Sequence, residues 1–203
     1  MKLFDGGKAP NPRRVRVYLA EKGIAVPLVP VDMGQFEHKS EALSERNPLR
    51  QLPVLELDDG TVLTESIAIC RYFEELHPDP PLFGEGPLGK ALVEMWQRRV
   101  ELNFLFPVAQ AFRHLHPAMR EWEVPQVAEW GEANKPRALA FLRHLDRELA
   151  GRPFIAGDGF SVADITALVA ADFMKPARIA VPDGLESFKA WHARVSARPS
   201  ARA

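Results

Sequence analysis

Cysteine occurs once in these 203 residues. A single thiol cannot close an internal disulfide, so nothing in the sequence implies an oxidising compartment. An excess of either charge is missing as well: 26 Lys and Arg stand against 27 Asp and Glu, for a formal net charge of −1. A nucleic-acid footprint needs a strongly basic face, and this balance argues against one. No apolar run approaches the roughly 18 residues that a membrane-spanning helix needs. Met1-Lys2-Leu3-Phe4-Asp5 turns polar too early for a signal peptide. The six histidines lack H-x-x-x-H spacing, although His114 and His116 lie close together, so no metal site is expected. These absences leave the expectation of a soluble, cytoplasmic protein with no nucleic-acid or membrane partner, long enough for one or two domains.

What the chain does carry is concentrated between Arg50 and Phe73, RQLPVLELDDGTVLTESIAICRYF. Pro53 sits at the mouth of an apolar run. Proline cannot donate to a sheet ladder, so it belongs at the first residue of a strand or in a turn. A cis bond there would turn the Val54 backbone outward and leave its N–H and C=O for a ligand. Asp58-Asp59-Gly60 is a turn signal between two β-type runs, Val54 to Leu57 and Thr61 to Leu63. Glu65-Ser66 then opens a helix whose Ile67, Ile69, Cys70 and Phe73 supply apolar positions. A free strand edge beside a helix amino end bearing Ser66 suits an extended, anionic, peptide-like molecule.

The rest of the chain sorts into two parts. Lys2 to Phe4 reads as a first strand. Asn11 is expected to cap a helix with Pro12 at its first position, and Gly23 to end it. Val26 to Asp32 reads as a second strand, and His38 to Arg46 as a short helix or turn stopped by Asn47-Pro48. The order βαβ, then ββα, is α/β. Proline and glycine cluster from His77 to Pro87, which places a domain boundary there: residues 1–80 form one domain and 88–203 an all-helical one. Helices are expected over 88–115, bent at Pro107, and over 128–150, 165–173 and 185–195. Ser161 and Asp164 have capping-box spacing, with Phe160 and Ile165 as a hydrophobic staple. Residues 196–203 read as a solvated tail.

Gln51-Leu52-Pro53-Val54 followed by Thr64-Glu65-Ser66-Ile67-Ala68-Ile69 resembles the glutathione-binding segment of the glutathione S-transferase family, and the resemblance extends over the whole chain. It implies a thioredoxin-like N-terminal domain, an all-α C-terminal domain and, usually, a homodimer. It also implies glutathione as substrate, conjugated to a small apolar electrophile in detoxification. Leu52, Pro53 and Val54 would pair with the cysteinyl backbone, and Glu65 and Ser66 would hold the γ-glutamyl group. His38, Lys39 and Gln51 fall where the glycyl end is met. The family's thiolate donor lies in the loop after the first strand. Here Ala9-Pro10-Asn11-Pro12-Arg13-Arg14 is similar to the bacterial nu-class pattern Thr-Pro-Asn, but Ala9 stands where the hydroxyl would be. Asn11, whose side-chain amide can donate to a thiolate, is the remaining candidate, with Arg13 and Arg14 adding positive charge; its other reading is a plain helix cap. Trp96, Arg99 and Asn103 mark a second-substrate pocket, at a spacing that also suits core. Three activities stay open: conjugation, glutathione-dependent disulfide or peroxide reduction, and glutathione binding with little turnover.

Overall fold

A computed structural model describes residues 1–203, which divide into two compact units: Met1–Pro81 with Pro199–Ala203, and Leu82–Arg198. The first unit runs β1 (Lys2–Asp5), α1 (Pro10–Lys22), β2 (Leu28–Pro30), α2 (Glu41–Arg46), β3 (Val54–Glu56), β4 (Val62–Thr64) and α3 (Ser66–Leu76). Its sheet has the order β2-β1-β3-β4, with β1 parallel to β2 and the other pairs antiparallel. The crossover through α1 is what a parallel pair requires, and the Asp58-Asp59-Gly60 turn is what the β3–β4 hairpin requires. In that turn Leu57 N donates to Thr61 O at 2.8 Å and Thr61 N to Asp59 Oδ1 at 2.8 Å.

The core of this unit fills both faces of the sheet. Phe4, Val31, Leu43, Leu52 and Val54 form one cluster. Leu3, Val15, Tyr18, Leu55, Ile69 and Phe73 are buried to 1% exposure or less. Behind α1 and α3 lies a buried polar knot. The Tyr18 hydroxyl donates to Glu74 at 2.6 Å, and Lys22 Nζ pairs with Glu74 at 2.6 Å while donating to the His77 carbonyl at 2.8 Å. Burial and Glu74 together push the Tyr18 phenol far above its ordinary range, so this hydroxyl stays protonated and engaged.

The second unit contains α4 (Gly86–Val100), a π-helical turn (Glu101–Leu105), α5 (Phe106–Leu115), α6 (Ala128–Leu149), α7 (Val162–Met174) and α8 (Glu186–Ser196). The central helix α7 is apolar nearly all round, and ten of its thirteen residues are buried. Its start is the capping box: Ser161 N and Ser161 Oγ donate to Asp164 Oδ2, each at 3.0 Å. The other oxygen, Oδ1, accepts from Ile155 N at 2.9 Å and from the Trp191 indole on α8 at 2.8 Å. One carboxylate thus ties a loop, a helix start and another helix together.

Four local expectations are corrected. The helix α1 begins at Pro10, so Ala9 is its N-cap and Asn11 its second residue, because the prolines at 10 and 12 both accept helical φ within the first turn. The long helix does not simply bend at Pro107: the π turn over 101–105 precedes that proline and absorbs the change of register. The strand β3 is internal, paired with both β1 and β4, so only residues preceding Val54 lie outside the ladder. The terminal residues are no solvated tail. Pro199–Arg202 forms a 3₁₀ turn docked along α1, where Ser200 is buried, Arg13 Nη2 donates to Ala201 O at 3.0 Å and Ser200 Oγ bonds Glu21.

Candidate functional site

Strand register gathers the site at one end of the sheet. Phe4 of β1 is opposite Val54, which is opposite Thr64 of β4, and Asp5 is opposite Pro30 of β2. The carboxyl ends of β1, β2 and β4 therefore share an end with the amino end of β3. From that end emerge the Gly6–Ala9 loop, the segment leading to His38, the Gln51–Pro53 segment and the Glu65–Ser66 start of α3. In open α/β sheets, ligands bind where such strand ends and helix starts meet.

The loops at this end touch. A Cβ built on Gly6 would stand 2.6 Å from Met33 Sδ and 3.1 Å from Leu52 Cδ1, so the end of β1 lies directly against the Met33 and Leu52 side chains. Arg16 fixes the next turn. It pairs with Asp5 through Nη1 and donates to Gly7 O through Nη2 at 2.9 Å, while Gly7 N donates to Asp5 Oδ2 at 2.9 Å. Asn47 organises the approach to Pro53: its Oδ1 accepts from Leu49 N at 3.1 Å and its Nδ2 donates to Gln51 O at 2.8 Å. The sequence reading assigned neither Arg16 nor Asn47 to the site. For Asn47 a signal existed, since Asn-Pro favours an Asx turn; for Arg16 none did.

The Leu52–Pro53 bond is cis, and Leu52, Pro53 and Val54 are all buried, whereas Gln51 is exposed. At the start of α3, Glu65 adopts φ 64°, ψ 116°, on the side of the map that L-residues avoid. A non-glycine residue held there is a functional-site pointer. The Glu65 side chain does not cap the helix, and no acidic residue lies in the first turn. The amides of Ser66, Ile67 and Ala68 therefore present a partial positive charge that no side-chain cap or first-turn acid of α3 meets. Ser66 itself is only 5% exposed.

The start of α1 is equally bare. Ala9 caps without a side-chain bond, Pro10 and Pro12 have no N–H, and Arg13 N bonds Ala9 O at 3.2 Å. Asn11 is thus the one residue among the first three that carries an amide hydrogen. Arg14 Nη1 donates to Asn11 Oδ1 at 3.1 Å, which orients the side chain and leaves Nδ2 as a donor. His38 is buried on the 3₁₀ turn Glu37–Lys39, and burial with the neighbouring Lys39 holds its imidazole below the ordinary range. At neutral pH its ring is a neutral N–H donor rather than a cation. Lys39 lies 4.5 Å over the Phe36 ring.

Two thiol-chemistry roles are closed to this unit. Cys70 is buried on α3, and burial pushes its thiol up to about 12, so it is no nucleophile at physiological pH. Tyr18 is committed to Glu74 and cannot serve as a thiol donor.

The remaining candidates belong to the helical unit. Trp96 is only 3% exposed, with the Arg152 and Arg99 guanidinium carbons 4.4 and 4.9 Å from its ring centre and the His144 ring stacked 5.7 Å away. Arg99 and Asn103 are exposed, and Asn103 Nδ2 donates to Arg99 O at 2.9 Å. No group of three His, Cys, Asp or Glu side chains could hold a metal ion, and no helix is long and apolar enough to cross a membrane.

Comparison with known proteins places this geometry in context. Residues 9–76 match the model of the glutathione S-transferase N-terminal domain and residues 124–199 that of its C-terminal domain. Glutathione S-transferase 2 of Saccharomyces cerevisiae is 38% identical over 205 aligned residues, which span 100% of this chain and 88% of the yeast protein. The crystal structure of Gtt2 from the same yeast superposes with a TM-score of 0.95 at 38% identity, covering 100% of this chain and 99% of that one. A glutathione S-transferase domain-containing protein of Marinobacter aquaeolei gives 0.95 at 39% identity, with 98% and 99% covered.

Proposed function

Because the chain belongs to the glutathione S-transferase family, we propose that it transfers glutathione to small apolar electrophiles by holding the thiol as a thiolate. The observation that carries this reading is the bare amino end of α3, strained at Glu65 and set in the same strand row as the cis-prolyl segment. A γ-glutamyl group supplies what that end lacks: a carboxylate for Ser66 and the first-turn amides, and an ammonium for the exposed Glu65 carboxylate. The cysteinyl backbone lies along Leu52 and Pro53, the residues that precede the ladder. Gln51, His38 and Lys39 meet the glycyl carboxylate, with His38 as a neutral donor.

The thiolate falls to the start of α1. A free thiol titrates at about 8.5, so conjugation near neutral pH needs donors at the sulfur. Ala9 offers none through its side chain, which leaves the Asn11 amide, its Nδ2 and the positive end of the helix. Arg99 and Asn103 are the exposed contacts for the electrophile, with Trp96 as their buried support. The protein acts as a homodimer in the cytoplasm, in detoxification.

Asn11→Ala is expected to lower kcat/KM for a chlorodinitrobenzene-type electrophile about ten-fold, the usual effect of losing a hydrogen bond to a charged group, and to move the ascending limb of its pH profile to higher pH. Unchanged kcat/KM with reduced stability would reduce Asn11 to a helix-start residue. The missing hydroxyl at Ala9 favours two further readings, reduction of disulfides or peroxides with glutathione as the only thiol, and binding without turnover. Calorimetry with glutathione, then turnover of hydroxyethyl disulfide beside the electrophile, separates the three.

A further inference from the structure

Helix α1 carries Arg13, Arg14 and Arg16 within one turn, and each makes a different contact. Arg13 donates to Ala201 O of the C-terminal turn, and Arg16 holds Asp5 and Gly7. Arg14 is buried, at 2% exposure, and its Nη1 donates to Asn11 Oδ1 at 3.1 Å. Residues three apart on a helix are neighbours, so Asn11 and Arg14 share one face. Burial raises the Cys70 thiol and the Arg14 charge acts against it, so that charge is also felt across to α3.

This contact settles how the Asn11 amide is turned. A guanidinium donates and never accepts, so only the amide oxygen can face it. The NH₂ group must then face away from Arg14, and Asn11 itself is exposed. The bond is charge-assisted, and such bonds are roughly twice as strong as neutral ones. Drawing electron density toward Oδ1 makes the Nδ2 hydrogens better donors, and a buried charge does this more effectively than one in water. Arginine also stays charged at every pH where a thiol titrates, so its influence is constant across that titration.

We propose that Arg14 is a positioning residue for the glutathione thiolate: its guanidinium holds the Asn11 amide with Nδ2 toward the sulfur and strengthens that donor. This rests on the reading that sets the sulfur at the start of α1. Arg14 acts through Asn11 and does not touch the sulfur. No proton passes to either side chain. The thiol releases its proton to solvent, and the pair favours the anion that remains. A carboxamide is by itself a modest partner for an anion; the charge behind it makes up for part of what Ala9 does not supply.

The test titrates the bound thiol by its ultraviolet thiolate absorbance, in the full chain saturated with glutathione. It is run beside kcat/KM for the chlorodinitrobenzene-type electrophile and a melting curve. Arg14→Gln should move the thiol titration up by about one pH unit and lower kcat/KM on its ascending limb about ten-fold. Arg14→Lys keeps the charge and should recover most of both. In an Asn11→Ala background, Arg14→Gln should have no further effect, because the two residues act as one unit. Equal losses with and without Asn11, or no recovery in Arg14→Lys, would make Arg14 a residue of the fold alone and overturn the proposal. Asn11→Asp reads the same geometry without touching Arg14. It keeps that contact but sets a carboxylate toward the sulfur, so its thiol should titrate above that of Asn11→Ala; a value at or below it overturns the orientation. A thiol moved by Asn11→Ala but not by Arg14→Gln overturns the role of Arg14 only. A thiol moved by neither, with glutathione still bound, overturns both this proposal and the placing of the sulfur at α1.

Discussion

Asp164→Ala is expected to lower the thermal midpoint by about 10 °C. The Asp164 carboxylate accepts four hydrogen bonds, from Ile155 N, Ser161 N, Ser161 Oγ and the Trp191 indole, and it is fully buried. Alanine leaves two backbone N–H groups and an indole N–H in a dry interior with no acceptor. Each such donor costs about 1–3 kcal/mol, so a loss near ~4 kcal/mol follows. For a chain of this length, about 2–4 °C is lost per kcal/mol. Ser161→Ala removes only the hydroxyl arm and should cost about 1 kcal/mol. Asp164→Asn should lie between the two, since one oxygen remains but an NH₂ then faces the Ser161 amide. Scanning calorimetry without ligand orders the three. If Asp164→Ala melted within 3 °C or so of the wild type, these hydrogen bonds would not be what joins Ile155, α7 and α8.

Ser66→Ala is expected to weaken glutathione binding about ten- to a hundred-fold while leaving the thermal midpoint unchanged. A hydroxyl donating to a carboxylate contributes about 1.5–3 kcal/mol, and each ~1.4 kcal/mol is ten-fold in affinity. Ser66 is the first residue of α3, not its cap, and Glu65 before it makes no capping bond. Alanine therefore removes no cap, and it is the better helix former. The separation of affinity from stability is what distinguishes a ligand contact from a helix-start serine. Calorimetric titration beside a melting curve reads both. A variant that bound glutathione normally but melted lower would assign Ser66 to the fold alone.

Local patterns carried most of what could be read before the structure. The β3–β4 hairpin was legible because Asp58-Asp59-Gly60 is sufficient to turn a chain between two apolar runs. The box at Ser161 was legible because both partners lie within one helical turn. The Gln51–Val54 and Thr64–Ile69 segments were legible only through their resemblance to a known family; periodicity alone reached no further than α/β.

What escaped has a common physical origin. The start of α1 was misplaced because Pro10-Asn11-Pro12 offers two prolines that each fit a first turn, and only the tertiary setting chooses between them. The π turn has no breaker of its own in Glu101–Leu105; the visible proline follows it. The docked 3₁₀ turn at residues 199–202 depends on Arg13 and Glu21, 188 and 179 residues away from their partners, a separation that no local pattern encodes. At the candidate site, likewise, the hydrogen bond from Arg16 to Gly7 arises from chain geometry rather than from any motif.

The most direct measurement is a crystal structure of the protein with glutathione. The γ-glutamyl carboxylate should lie within about 3 Å of Ser66 Oγ and a first-turn amide of α3, the cysteinyl backbone along Leu52 and Pro53, and the sulfur facing Asn11. Glutathione found elsewhere, or the amino end of α3 closed off by the protein's own side chains when glutathione is bound, would contradict the account.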